Sequence, residues 1–198
     1  MVEPQSKIII GDGAALKVAL QIWSELLPTA QLIGVELKYD VLTGYNFVPL
    51  LKHDPLTTTA FVALDERLLN LHRQELFVRV KAMGFALPPL VETGAVVAAD
   101  VVVPENSWLG KNTVIESGTT LARGIKIGAG SVVQAGCVLG DHAHIGCGVV
   151  MGAGTRLGHL ATIGDGAVLK PQTTVGAFCR LMKAETYRDT YAEATFIE

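Results

Sequence analysis

Residues 127–151 read IGAGSVVQAGCVLGDHAHIGCGVVM, and an apolar residue returns at every sixth position of this stretch. A period of six fits neither an α-helix, which repeats about every 3.6 residues, nor a simple alternating strand. It is typical of a hexapeptide β-solenoid, in which the apolar residue and a small residue two positions before it stack on adjacent coils. The register runs without insertion through fifteen hexads, which begin at Val91, Val97, Val103, Leu109, Ile115, Leu121, Ile127, Val133, Leu139, Ile145, Met151, Leu157, Ile163, Leu169 and Val175.

Three hexads per coil give eighteen residues per turn, so residues 91–176 are expected to form about five coils. Residues eighteen apart should then lie on neighbouring parallel strands, roughly 4.8 Å apart. The fourth position of each hexad is expected at a corner with positive φ. It holds glycine at eight positions, and the exceptions include Asp100, Asn106, Asn112 and His142, whose types tolerate this region best after glycine. The spacing alone leaves the hand of the solenoid open.

Before the repeat, apolar strand candidates alternate with amphipathic helices. The run Ile8-Ile9-Ile10 predicts a buried strand that ends at Gly11-Asp12-Gly13, where a helix follows. This alternation predicts a small parallel α/β (Rossmann-like) domain over residues 1–88, and the pair Pro88-Pro89 marks its boundary. The Gly-Asp-Gly turn fits two roles, a tight strand-to-helix turn or a phosphate cradle at the helix N-terminus, although Asp12 would repel a phosphate held close to it.

Residues 177–198 leave the hexad register, and their apolar residues recur at roughly helical spacing. We expect an amphipathic helix here that covers the open end of the solenoid, because the last coil otherwise exposes an unpaired edge. Its predicted apolar face consists of Leu181, Ala184, Tyr187, Tyr191 and Ala192.

Composition excludes several classes of partner. A net charge of −3 gives no basic field for nucleic acid. No apolar run reaches the length of a membrane span, and no secretory signal is visible. Cys137, Cys147 and Cys179 match no zinc or disulfide spacing, which favours a reducing cytoplasm and gives no reason to expect a metal.

With these features, the chain resembles the sialic-acid O-acetyltransferase/bacillosamine N-acetyltransferase family of sugar acyltransferases. The resemblance covers about residues 6–176 and rests on four stretches: IIIGDG at 8–13, FVAL at 61–64, MGF at 83–85 and SVVQAGCVLGDHAH at 131–144. It implies a left-handed β-helix, a homotrimer, a nucleotide-linked sugar bound at the N-terminal domain, and acetyl-CoA bound in the groove between adjacent β-helices.

The chain departs from the family at the catalytic base. The family places an acid-His-acid-Cys segment where this sequence has Gln134-Ala135-Gly136-Cys137, so Ala135 stands in the position of the histidine. Acyl transfer needs the acceptor's proton removed as the new bond forms, and a placed base is typically worth about 10²–10⁴-fold. Alanine has no group that can accept the proton.

His144 is the first candidate for a relocated base and His142 the second. By resemblance, His144 matches a family position beside the acetyl group, while His142 occupies a corner where backbone tolerance alone explains the residue. The resemblance also implies that the backbone groups of Gly152 and Ala153 contact the arm of CoA. A zinc site of the γ-carbonic-anhydrase type does not fit, because Gly164 stands where that family would supply a further histidine.

Two functions of different class follow. One is a CoA-dependent acyltransferase that acts on an amino or hydroxyl group of a nucleotide-linked sugar, with Gly11, Asp12 and Gly13 contributing to substrate binding. The alternative is a catalytically silent trimeric relative that binds a sugar nucleotide or a partner protein. Fold alone does not decide between them.

Overall fold

A computed structural model describes residues 6–65 and 69–198. The chain divides into two compact units, one comprising Met1–Asp65 with His72–Pro88 and the other comprising Glu66–Leu71 with Pro89–Glu198.

The first unit is built on a parallel sheet of three strands in the order β2-β1-β5. Its central strand β1 carries Ile8, Ile9 and Ile10, which are fully buried because strands pair on both sides of it and both faces are covered. The elements are β1 (Ser6–Gly11), α1 (Gly13–Leu26), β2 (Gln31–Glu36), β3 (Tyr39–Asp40), β4 (Gly44–Tyr45), the 3-10 helix η1 (Val48–Leu50), β5 (Thr58–Ala63) and α2 (Leu71–Ala82).

The second unit is a parallel β-solenoid with three sheets, and each strand is two residues long. Sheet I contains β6 (Leu90–Val91), β8 (Trp108–Leu109), β11 (Lys126–Ile127), β14 (His144–Ile145), β17 (Thr162–Ile163), β20 (Arg180–Leu181) and β23 (Phe196–Ile197). Sheet II contains β7 (Val96–Val97), β9 (Val114–Ile115), β12 (Val132–Val133), β15 (Val150–Met151), β18 (Val168–Leu169) and β21 (Thr186–Tyr187). Sheet III contains β10 (Thr120–Leu121), β13 (Val138–Leu139), β16 (Arg156–Leu157), β19 (Thr174–Val175) and β22 (Thr190–Tyr191).

The eighteen-residue turn is confirmed by the strand pairing, in which Lys126 lies opposite His144 and His144 opposite Thr162. The second residue of each strand points inward, and from Leu109 to Val175 every predicted inward apolar residue is buried. Val91, Val97 and Val103 are only partly buried, because they belong to the first coil, where the stack has a neighbour on one side.

The predicted C-terminal helix over residues 177–198 is wrong. These residues form strands β20 to β23, which extend all three sheets, so the solenoid has about six turns rather than five. Leu181 and Tyr187 continue the hexad register, and both are buried in the core. Tyr191 then follows Tyr187 after only four residues, yet it pairs with Val175. The last coil does not show a regular six-residue repeat, because it is two residues shorter here and has tyrosine at inward positions.

The corner conformations follow the fourth-position rule with one exception. Asn106, Asn112 and His142 adopt positive φ as predicted, as do all eight glycines at this position. Asp100 does not. Its carboxylate instead accepts hydrogen bonds from the Gly118 N–H and the Ser117 hydroxyl of the next coil, at 2.7 and 2.9 Å.

Candidate functional site

The Gly-Asp-Gly turn lies at the carboxyl end of β1, where α1 begins. A Cβ atom at Gly11 would clash with the carbonyl oxygen of Ala63 on β5, and Gly13 has a φ of +53°. Both glycines are therefore required by the turn itself. The first turn of α1 contains no acidic residue, so its backbone N–H groups form an end of positive potential beside the turn.

A pocket of about 300 Å³ opens at the carboxyl end of β2, lined by Glu36, Leu37, Lys38, Asn46 and Pro49. The Leu37 N–H donates to the Gly11 carbonyl at 2.9 Å, which ties the pocket to the Gly-Asp-Gly turn. The carboxyl ends of parallel strands are where α/β sheets bind their ligands. Sequence reasoning missed Glu36 and Lys38, although an acidic residue at the end of the second strand is a recognisable signal for a ribose hydroxyl partner.

Ala135, Gly152 and Ala153 come together at the corner between sheets II and III, which we call the II/III corner. Ala135 lies on this corner after β12, and Ala153 occupies the equivalent place one coil later. The Gly154 N–H donates to the Ala135 carbonyl at 3.0 Å and fixes this stacking. Ala135 and Ala153 are exposed, whereas Gly152 is buried. The vacant base position and the two predicted CoA-binding residues are therefore neighbours within one chain.

The outward N–H groups of the II/III corner are already occupied. Gln134 Oε1 accepts the Ala153 N–H at 3.1 Å, and Glu116 Oε2 accepts the Ala135 N–H at 2.9 Å. One coil further on, Pro171 has no N–H to offer. A ligand can use the Ala153 N–H only after the Gln134 carboxamide has moved. Sequence reasoning missed Glu116 and Gln134. The feature that could have identified them as equivalent corner residues is their spacing of eighteen, with each directly after an inward apolar residue.

Cys137 follows this corner but takes no part in it chemically. Its side chain is buried in the solenoid core, and its Sγ contacts the Gly152 carbonyl at 3.3 Å. Burial raises the pKa of the thiol, which keeps it protonated at neutral pH. A buried, protonated thiol is a packing group rather than a nucleophile.

His144 lies on a different side of the solenoid. It is the outward, half-buried residue of β14 in sheet I, between Lys126 and Thr162. Nine residues separate it from Ala135, which is half of an eighteen-residue turn. Within one chain, His144 and the II/III corner therefore face opposite directions. The two can share a site only if the corner of one copy meets sheet I of another.

His142 is a corner residue between sheets III and I. It has a φ of 56°, only 2% of its surface is exposed, and its N–H donates to the Arg123 carbonyl. Its ring lies over Gly124, where a Cβ atom would clash with the imidazole. These contacts give His142 a structural role at the corner, and its predicted role as a second base has no support from this geometry.

The outward face of sheet II carries an unbroken stripe of valines on adjacent strands, which we call the valine stripe: Val96, Val114, Val132, Val150 and Val168. Val96 is 60% exposed and the other four are half-buried. Trp108 and Val138 also stand directly before an inward residue, so the hexad register predicts that they point outward. They lie on sheets I and III and do not join this stripe, and Trp108 is buried. Contiguous apolar surface of this kind is typical of protein interfaces.

Within residues 6–65 and 69–198, no three His, Cys, Asp or Glu side chains converge as metal ligands would. Neither helix in the described part of the chain has the length and apolarity needed to cross a membrane.

Several solved structures share this fold. The chain is similar to the acetyltransferase domain of PglB from Neisseria gonorrhoeae FA1090, which is in complex with acetyl coenzyme A, with a TM-score of 0.83 and 24% identity over 97% of this chain and 95% of that chain. PerB from Caulobacter crescentus, in complex with CoA and GDP-perosamine, gives a TM-score of 0.62 and 23% identity over 96% and 92%. A variant of the GDP-perosamine N-acetyltransferase from the same organism, with one histidine replaced by alanine, is also in complex with CoA and GDP-perosamine; it gives a TM-score of 0.59 and 21% identity over 96% and 92%.

No protein-family model matches the sequence, and no curated protein matches it. At these identities, the likeness to solved structures shows the fold alone: a parallel β-solenoid of about six turns that matches a left-handed β-helix.

Proposed function

We propose that this protein is a CoA-dependent acetyltransferase that acts on an amino or hydroxyl group of a nucleotide-linked sugar. The observation that carries the proposal is the grouping of Ala135, Gly152 and Ala153 on one exposed corner, in a fold shared over almost its whole length with an acetyltransferase domain in complex with acetyl coenzyme A. An amino acceptor is favoured over a hydroxyl, because the similar Caulobacter protein is an N-acetyltransferase.

The sugar nucleotide is assigned to the N-terminal unit. The backbone N–H groups at the N-terminus of α1, beside Gly11 and Gly13, suit a phosphate that lies clear of the Asp12 carboxylate. The Glu36 carboxylate in the neighbouring pocket suits a ribose hydroxyl. Lys38, whose Nζ is 3.7 Å from a Glu36 oxygen, adds a cation at the pocket mouth. A similar protein, PerB, is in complex with GDP-perosamine, which supports a nucleotide-linked sugar as the ligand class.

Assembly into a homotrimer completes the site in this proposal. The valine stripe supplies an apolar surface for packing solenoids side by side. In such an assembly, the II/III corner of one copy can face His144 of the next, which a single chain does not allow. All three cysteines are free, and Cys147 is exposed, which suits a reducing compartment such as the cytoplasm.

The reaction follows from these placements. The acceptor nitrogen attacks the thioester carbonyl carbon, the carbon–sulfur bond breaks, and CoA leaves as a thiolate. The proton lost by the nitrogen passes to the His144 imidazole and then to the thiolate. A base in this role contributes about 10²–10⁴-fold. The histidine-to-alanine variant of the similar Caulobacter enzyme is also in complex with CoA and GDP-perosamine, so that protein binds both ligands without this histidine.

A second candidate function is a non-catalytic trimeric relative that binds a sugar nucleotide or a partner protein. The observation that favours it is the closed II/III corner, where Glu116, Gln134 and Pro171 leave no outward N–H free at positions 135, 153 and 171. A chain that no longer binds acetyl-CoA would tolerate such a corner together with Ala135.

A single set of measurements separates the two. Purified protein is incubated with acetyl-CoA and a panel of nucleotide-linked amino sugars, and release of the CoA thiol is followed. We expect turnover, and a loss of about 10²–10⁴-fold in His144→Ala. The control is His159→Ala, which removes a corner histidine that packs edge-on against Phe178. Ala135→His should raise turnover if the corner holds the acyl donor.

Unchanged turnover in His144→Ala would show that another group, or the substrate itself, disposes of the proton. A wild-type protein that shows neither turnover nor calorimetric binding of acetyl-CoA would establish the non-catalytic function.

A further inference from the structure

A second pocket in the N-terminal unit lies between η1 and the C-terminal end of α2. It has a volume of about 400 Å³ and is lined by Phe47, Val48, Leu51, Arg79, Ala82 and Met83. None of these residues lines the pocket at the end of β2. We call this second pocket the η1/α2 groove.

The walls of the groove are largely apolar, and two of its aliphatic side chains are open to solvent. Val48 is 66% exposed and Leu51 73% exposed, although both are large aliphatic side chains. Leaving such side chains in water forgoes the free energy that their burial would give. The volume falls within the range of small-molecule sites, which are mostly apolar with few polar groups to orient the ligand.

Among the described residues that line the groove, Arg79 alone is charged. Its guanidinium carbon is 5.7 Å from the centre of the Phe47 ring, and no acidic side chain of the described residues pairs with it. Its neighbour Lys81 lies in the same last turn of α2, where basic residues complement the negative end of a helix. That general role explains both residues, but only Arg79 also faces the groove.

We propose that the η1/α2 groove binds a small amphipathic anion, with an aromatic body against Phe47, Leu51 and Met83 and one carboxylate or sulfonate group on Arg79. A single cation matches a single negative charge. A nucleotide diphosphate would bring several charges and a polar sugar, for which the apolar walls provide no partners. The site is independent of the proposed acetyltransferase function, because it shares no residue with either part of that site.

The test compares two probes that differ in one group. Anilinonaphthalene sulfonate carries an aromatic body and one negative charge, and N-phenylnaphthylamine is its uncharged analogue. Fluorescence titration of the full chain should show one site for the sulfonate. Arg79→Gln should weaken sulfonate binding roughly tenfold, the scale of a charge-assisted hydrogen bond, and change binding of the neutral probe less than about twofold. Lys81→Gln, which removes the same charge from the same helix turn outside the groove lining, is the matched control.

Met83→Glu places a negative charge in the apolar wall and should weaken both probes, which locates the aromatic body. Equal effects of Arg79→Gln and Lys81→Gln would overturn the proposal, because long-range charge would then explain the binding. Equal loss of both probes in Arg79→Gln would also overturn it, because Arg79 would then act only by shaping the groove. Sulfonate binding that Met83→Glu leaves unchanged would place the site elsewhere.

Discussion

Replacing Lys7 with methionine is expected to stabilise the protein at neutral pH. Lys7 lies in the central strand β1 with 3% of its surface exposed, and its Nζ is 4.0 Å from the centre of the Trp23 ring. Within the described residues, this ammonium group has no hydrogen-bond partner. The same holds for two other buried atoms, Trp23 Nε1 and Thr59 Oγ1. A charge buried without a partner carries a large desolvation cost.

The cost can be worked from the pKa. Burial lowers the pKa of Lys7 from 10.5 to about 8. Lowering the pKa by this amount corresponds to about 3 kcal/mol of free energy. The folded state is destabilised by this amount at any pH where the amine is charged in both the folded and the unfolded chain. The contact with the Trp23 ring returns about 0.5–2 kcal/mol. Methionine keeps the packing of the stem and removes the charge, so Lys7→Met should gain about 1–3 kcal/mol at pH 7.

The sign of the pH dependence follows from proton binding. Between about pH 8 and 10.5, the unfolded chain still binds the Lys7 proton that the folded chain has released. The free energy of unfolding of the wild type therefore rises with pH through this window. Below pH 8 both states are protonated and the penalty is complete. The variant has no such group, so its advantage over the wild type should shrink towards pH 10.5.

Urea unfolding of wild type and Lys7→Met at about pH 7, 9 and 10.5 measures this difference, and the titration of other groups cancels in it. Lys17→Met, which replaces an exposed lysine of α1, is the control and should leave stability within about 0.5 kcal/mol. A constant difference between wild type and Lys7→Met at all three pH values would refute the reasoning, because the amine would then not change its protonation on folding within this window.

Three further predictions concern the solenoid. Gln134→Ala frees the Ala153 N–H and should tighten acetyl-CoA binding severalfold in calorimetry; unchanged affinity alongside wild-type binding would mean that the ligand does not use this donor. Val132→Lys places a charge in the valine stripe and should reduce the particle to a monomer in light scattering, whereas an intact oligomer would move the interface elsewhere. Leu181→Ala should lower the free energy of unfolding by about 2–5 kcal/mol and Ala184→Ser by less than about 0.5, and equal effects would contradict the buried last coil.

The solenoid was predictable from sequence because each inward position repeats at a fixed spacing. Leu139 stacks between Leu121 and Leu157 at eighteen-residue intervals, so one register determines pairing, core and corners together. The same logic failed where the spacing changed. Between Tyr187 and Tyr191 the coil is two residues shorter, and the period that identified every earlier coil no longer applied.

The candidate site was less predictable, because its decisive contacts are made by side chains reaching across coils. The bonds from the Ala135 and Ala153 N–H groups to Glu116 and Gln134 each span nineteen residues, and no local propensity predicts them. The pocket at Glu36 and Lys38 depends on how the end of β2 is held beside Gly11, which propensity does not specify. A residue's type can be read from the sequence, whereas the partner of its backbone N–H cannot.

Distance along a solenoid is a poor guide to distance in space, and this bears on catalysis. Ala135 and His144 are near neighbours in sequence, yet half a turn puts them on opposite sides of the coil, and no side-chain rotation brings them together. The valine stripe adjoins the same II/III corner that carries Ala135, since Val132 precedes Ala135 in one coil. If His144 is the base, it must act on a thioester held at another copy's corner. Turnover then depends on assembly. Val132→Lys should therefore abolish both, although it removes no group that takes part in the reaction.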